Sequence, residues 1–166
     1  MDRNVLVPLL FGLAFGTATC SAPAAPKRAT TSDPAAVVHE YLDAENRGDI
    51  PAALSHITDD IVITGLGLCS KAPCVGTEAI RKEIERGESA HTQHTRMDIR
   101  NIGSNAARAR VEHQNDASRA AGIDRFVVIA TIKVRGDRIV SIARKFDTSD
   151  KQTQAFIKYQ KAHAPK

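Results

Sequence analysis

Between Ala36 and Glu85 the apolar positions recur first at helical spacing, then at strand spacing, then at helical spacing again. Val37, Tyr41 and Ala44, flanked by Val38 and Leu42, predict an amphipathic first helix. Asp33-Pro34 opens it with a side-chain cap followed by a proline at the first helical position. Gly48 supplies a left-handed stop, and Asp49 caps a short second helix with Ile50, Ala53, Leu54 and Ile57 on one face. Ile61 to Thr64 reads as a strand. After the segment GLCSKAPCVG, Thr77 is the expected cap of a third helix in which Ile80 and Ile84 face inward and Glu78, Lys82 and Glu85 stay solvated.

From Thr92 onward the period becomes that of strands. Breaks at Gly103-Ser104-Asn105, Ala120-Ala121-Gly122 and Arg135-Gly136-Asp137 divide four of them: Thr92 to Ile102, Ala106 to Asn115, Ile123 to Val134 and Arg138 to Asp147, joined as an antiparallel meander. A last helix with Phe156 and Tyr159 packing back is expected near the C-terminus. Helices first and long strands afterwards argue for an α+β domain with helices on one face of the sheet. A chain of 166 residues, 42% hydrophobic and 25% charged, suits one soluble globular domain, placed at 33–166.

The first 24 residues read as an export signal: Arg3, an apolar run from Val5 to Ala18 too short to span a bilayer, then small residues. Two processing routes fit. Ala22-Pro23-Ala24 has the small-x-small form that a signal peptidase accepts, while Thr17-Ala18-Thr19-Cys20 resembles a lipoprotein cleavage box without its usual leucine. Residues 25–32 would then be a flexible linker. The expected location is periplasmic or secreted, or membrane-tethered through a lipid on Cys20. Cys69 and Cys74 remain as a close pair, which in an oxidising compartment closes a small disulfide loop.

The net charge of +4 alternates with apolar positions instead of clustering, and with no Trp and 4% aromatic residues the chain lacks the stacking surface of a single-strand nucleic-acid binder. Nucleic acid is therefore not an expected partner. Zinc needs about four ligands at defined spacing, and His91 and His94, three apart before or on a strand, point to opposite faces and read as surface histidines. Neither a metal nor a cofactor is expected.

Candidate chemistry lies on the strands. Alternation puts Ala107, Ala109, Val111, His113 and Asn115 on one face, with Arg108, Arg110, Glu112 and Gln114 on the other. His113 and Asn115 would be the orienting polar groups at the end of an apolar wall. In the last strand Val140, Ile142, Arg144 and Phe146 share the more apolar face, opposite Ile139, Ser141, Ala143 and Lys145. Arg144 among apolar neighbours needs a carboxylate partner, for which Asp124 and Glu112 are candidates, or an anionic ligand.

The strings AVVHEYLDAENRGDIPAALSHITDDIVITG and VGTEAIRKEIE resemble the NTF2-like superfamily, in its SnoaL-like and ketosteroid-isomerase-like branch. The resemblance implies a cone: a curved antiparallel sheet with three N-terminal helices packed on its concave side around an apolar pocket. It also implies dimer contacts through the outer sheet face, and it places Tyr41 on the phenol that hydrogen-bonds a substrate oxyanion in the isomerases. Their proton-shuttling aspartate falls on Gly65 and their second oxyanion-hole acid on Ala130, so steroid isomerisation is not expected. A cluster of Asp124, Arg144 and His113 could imitate the Asp-Arg-Asp group of limonene-epoxide-hydrolase-like relatives.

Three readings follow. One is an exported pocket protein binding an apolar or amphipathic small molecule, with Arg144, Asn115 and Asp124 as ligand contacts. Another is an acid-base isomerase, cyclase or epoxide-hydrolase-like enzyme in which His113 is the base and Tyr41 or Arg144 steadies an oxyanion. The third is an envelope interaction domain whose face of Arg108, Arg110, Glu112 and Gln114 makes homodimer contacts.

Overall fold

The computed structural model describes residues 33–163. The expected export signal, with Cys20, and the linker lie outside the described residues.

The helix α1 (Pro34–Asn46) begins where the cap signal places it, with Asp33 Oδ1 accepting from Ala35 N–H at 3.1 Å. Its stripe of Val37, Val38, Tyr41, Leu42 and Ala44 is buried. Gly48 takes the left-handed conformation (φ 67°), and Asp49 caps α2 (Ile50–Ser55) by accepting from Ala52 N–H. The strand β1 (Ile57–Thr64) is longer at its start than the alternation suggested, because an irregularity between Ile57 and Val62 carries Asp59 and Asp60 on the exposed side. A 3-10 turn (Gly67–Cys69) and the short strand β2 (Cys74–Val75) follow, and Cys69 and Cys74 form a disulfide with Cα atoms 5.3 Å apart. The helix α3 (Thr77–Ser89) is capped at Gly76, and Thr77 is its first turn rather than its cap.

The strands β3 (Gln93–Gly103), β4 (Ala106–Gln114), β5 (Phe126–Arg135) and β6 (Arg138–Phe146) form the expected meander. The connection from β4 to β5 contains an element that the strand pattern concealed, α4 (Asp116–Ala120), nucleated by a reciprocal capping box between Asn115 and Ser118. The helix α5 (Lys151–Ala162) closes the chain. The curved, unclosed sheet runs β2-β1-β6-β5-β4-β3. Every neighbouring pair is antiparallel except β1 and β6, which run parallel and correct the expectation of a wholly antiparallel sheet. That joint follows from order along the chain: β1 enters beside the last strand after two helices, with no hairpin to reverse it.

Two bulges decide which side chains face inward. Between β5 and β6, Lys133 pairs with Ser141 and Val134 with Ile139, so Val140 is the extra residue. Ile139 and Ile142 are therefore both buried, correcting the alternation that set Ile139 opposite Ile142, while Arg144 and Phe146 keep the inward side opposite Ala130 and Val128. Between β3 and β4, His94 pairs with His113 and Arg96 with Glu112, leaving Thr95 unpaired. The main core lies between α1, α3 and the sheet. A second apolar cluster of Phe126, Val128 and Phe156, packed with Phe146, sits under α5.

Candidate functional site

A cavity of about 390 Å³ opens between the two clusters. Its apolar wall comes from Val111, Phe126, Val128, Phe146 and Phe156. Phe126 stacks on Phe156 with centroids 4.1 Å apart and on His113 at 5.3 Å, while Phe146 meets both phenylalanines edge-on. The helix α5 brings Phe156 into place because Thr153, fully buried, accepts from Val127 N–H at 2.8 Å and donates to Asp150 at 2.9 Å. Asp150 also receives Arg125 Nη1 at 3.0 Å, which fixes the helix start to the turn before β5.

The polar groups come from separate elements. Arg144 reaches the cavity from β6, His113 from β4, His94 from β3 and Glu83 from α3. His94 and His113 meet edge-on with ring centroids 4.6 Å apart. His94 was expected at the surface; the bulge at Thr95 reverses its side relative to Met97 and Ile99 and turns it inward. Asn46 of α1 pins this strand, its Oδ1 accepting from His94 N–H at 2.6 Å. His91 is exposed and paired with Asp116 at 2.7 Å.

Glu83 is a cavity-lining residue that the sequence pattern does not single out. Its carboxylate accepts from Leu68 N–H at 2.5 Å and Arg86 Nη2 at 2.9 Å, and lies 3.2 Å from Arg144 Nη2. The signal was an acid one position before Ile84 and three after Ile80, on the apolar side of α3. Burial pulls this carboxyl upward, but the Arg144 guanidinium and the hydrogen bonds from Arg86 and Leu68 outweigh it and hold the group below its usual value.

Arg144 is mostly buried, its side chain 19% exposed, and its guanidinium makes no hydrogen bond to a described residue. Nε and Nη2 are fully enclosed and make no hydrogen bond, although Nη2 is ion-paired with Glu83, and Nδ1 of His94 is likewise enclosed without a hydrogen bond. Neither expected partner approaches Arg144. Asp124 is exposed in the turn before β5 and does not line the cavity, because α4 carries that turn outward. Glu112 points to the opposite face, against Arg110 and Arg125. The imagined cluster of Asp124, Arg144 and His113 does not form.

Burial, with smaller help from His94 and Arg144, pushes His113 well below the ordinary histidine value, so its ring is neutral at neutral pH. Asn115 borders the cavity, but its Oδ1 accepts from Ser118 N–H at 2.9 Å to cap α4. Tyr41 lies in the core and does not line the cavity; Leu42 and Glu45 of the same helix do. Burial first, and then the Glu45 carboxylate, hold its phenol protonated.

Gly65 and Ala130, onto which the resemblance places the isomerase acids, hold no carboxylate here. Gly65 has φ 104°, and a Cβ there would collide with the backbone carbonyl of Arg144, so no aspartate fits. Ala130 pairs with Arg144 across β5 and β6 and presents a methyl to the cavity. Among the described residues no group of three or more His, Cys, Asp or Glu side chains is arranged to hold a metal ion.

A bent sheet wrapped over helices, with polar side chains gathered around an apolar hollow, is the architecture of an NTF2-like cone. The chain belongs to the SnoaL-like domain family, which matches residues 38–142. Solved structures agree on the fold. A proposed polyketide cyclase from Sinorhizobium meliloti is 19% identical with a TM-score of 0.55, covering 66% of this chain and 94% of its own. One from Xanthomonas campestris is 17% identical with a TM-score of 0.54, covering 72% and 94%. An NTF2-like protein from Cytophaga hutchinsonii is 15% identical with a TM-score of 0.52, covering 68% and 88%. At such identities the likeness is one of fold alone. No curated protein matches the chain by sequence.

Proposed function

We propose that this protein is an exported binder of a small apolar or amphipathic molecule, held in the cavity between α5 and the curved sheet. The observation that carries this reading is an aromatic-walled hollow of about 390 Å³ into which Arg144, His94 and His113 all project. A mostly apolar wall with a few convergent polar groups is the usual composition of a ligand pocket. The disulfide between Cys69 and Cys74 supports an oxidising compartment, in keeping with an export signal at 1–24 and either a free or a Cys20-lipidated mature form.

The test is a thermal-shift screen of hydrophobic metabolites against the mature domain, run beside an Ala130→Trp variant whose indole would fill the hollow. Ligands should raise the melting temperature of the parent and leave that of the filled variant unchanged. A screen in which no compound shifts the parent, or in which both proteins shift alike, contradicts the reading.

One observation favours a second reading, that of an acid-base enzyme. His113 is a neutral imidazole beside a guanidinium, so it could take a proton while Arg144 steadies the resulting oxyanion. Tyr41, beneath the cavity, would act in that scheme only by supporting Glu45 and the wall. Turnover of a carbonyl or epoxide substrate that is abolished in His113→Ala with ligand affinity intact would establish it; no turnover across both classes would refute it.

A further inference from the structure

We propose that the ligand of this pocket carries a carboxylate that seats on Arg144, which makes it an amphipathic monocarboxylic acid with an aromatic or alkyl body. The inference rests on the pocket reading above and names the class of molecule for that site.

Arg144 is the starting point. Its Nε and Nη2 make no hydrogen bond among the described residues, and its one ion pair there is the 3.2 Å approach of Nη2 to Glu83. Leaving enclosed donors unmatched is costly, so they mark a place where an acceptor belongs. Glu83 fills that role only in part: it is the counter-charge of Arg144 at 3.2 Å from Nη2, makes no hydrogen bond to it, and is shared with Leu68 N–H and Arg86 Nη2. One carboxylate thus faces two guanidinium groups, leaving a positive charge on that wall. Glu45, the other acid at the cavity, stands on α1 and forms no ion pair with Arg144 among the described residues.

Nε and Nη2 are covered by protein atoms, so the nitrogen left to meet the hollow is Nη1, whose N–H groups can donate to a carboxylate oxygen. His94 lines the same hollow. Away from Glu45, Glu83, Arg86 and Arg144 the hollow offers phenylalanine faces, which suit a hydrocarbon body.

Isothermal titration with matched acids and amides tests this directly: 2-naphthylacetate against 2-naphthylacetamide, and 4-phenylbutyrate against 4-phenylbutyramide, at pH 7.5. The parent should bind the acid roughly tenfold to a hundredfold more tightly than the amide, the range for charge-assisted hydrogen bonds. Arg144→Gln should bring each pair to within about twofold while keeping amide affinity. If Arg144→Gln fails to fold, Glu83→Gln serves instead: removing the neighbouring negative charge should widen the acid preference. Equal binding of acid and amide by the parent, a preference that survives Arg144→Gln, or one that narrows in Glu83→Gln overturns the carboxylate inference and leaves the pocket standing. If no member of either pair binds, the pocket reading fails and this inference fails with it.

Discussion

Glu83 stands 3.2 Å from Arg144 yet accepts its hydrogen bonds from other partners, Leu68 N–H and Arg86 Nη2. The helix α3, the disulfide loop and the last strand therefore meet at a single carboxylate on the cavity wall, and the stability of the fold and the charge of the site are joined there.

Removing that carboxylate should be costly. Glu83→Ala leaves Arg144 without its counter-charge and Leu68 N–H without an acceptor, and it should destabilise the domain by about 3 kcal/mol, the lower end for breaking a buried pair since Arg144 keeps some solvent contact. Glu83→Gln, which can still accept from Leu68, should lose less. Urea unfolding monitored by circular dichroism measures both. Because the folded-state value of Glu83 lies below the unfolded one, its contribution is present above about pH 4.3 and disappears as pH falls through the folded value.

Histidine 113 sets a second pH dependence of the same sign. Its folded value is depressed, so on acidification below about 6.5 the unfolded chain takes up the proton first and stability falls, by at most about 1.4 kcal/mol per pH unit. Above that pH the group contributes no slope. His113→Phe, which preserves stacking on Phe126, should flatten the stability profile between pH 6.5 and the folded value. An unchanged profile in chemical denaturation at several pH values would show that His113 is not buried neutral.

Gly65 should not tolerate a side chain. Gly65→Asp, which would restore an acid where the isomerases carry one, combines a positive φ with a collision against the Arg144 carbonyl. Backbone strain alone is worth about 1–3 kcal/mol, so a large fall in melting temperature is expected. A variant as stable as the parent would mean that this turn is looser than described.

The disulfide should act on the site as well as on stability. Closing the short loop between Cys69 and Cys74 contributes about 2 kcal/mol by the chain-entropy argument. The paired change Cys69→Ser and Cys74→Ser should lose about that much. It should also free the backbone around Leu68 that donates to Glu83. Amide hydrogen exchange at Leu68 should accelerate in the double variant and stay slow in the parent.

Much of this fold was readable from local signals. Asp33-Pro34 and the stripe from Val37 to Ala44 marked α1, and the breaks between strands marked the meander, because capping and alternation act over a few residues. The inward placement of Arg144 and His113 was equally legible, since each lies on a regular stretch of its strand. What failed was long-range or irregular. Alternation cannot show that Thr95 is a bulge residue, and so His94 was sent to the wrong side. The partner of Arg144 came from a helix far away along the chain, where Glu83 looked like one more acid among several. Asp124 is exposed because α4, which lies in what reads as a plain break between Asn115 and Ile123, is nucleated by its capping box and turns the chain away.

The claim beneath all of this is that Arg144, His94 and His113 share one ligand-accessible hollow. Side-chain nuclear magnetic resonance of the mature domain, titrated with 2-naphthylacetate, tests it most directly. The account predicts that the imidazole signals of His94 and His113 and the Nε–H of Arg144 shift together with one binding isotherm, while the exposed His91 and His39 stay still. Shifts confined to the exposed histidines, or to the outer face of Arg108 and Arg110, would contradict it.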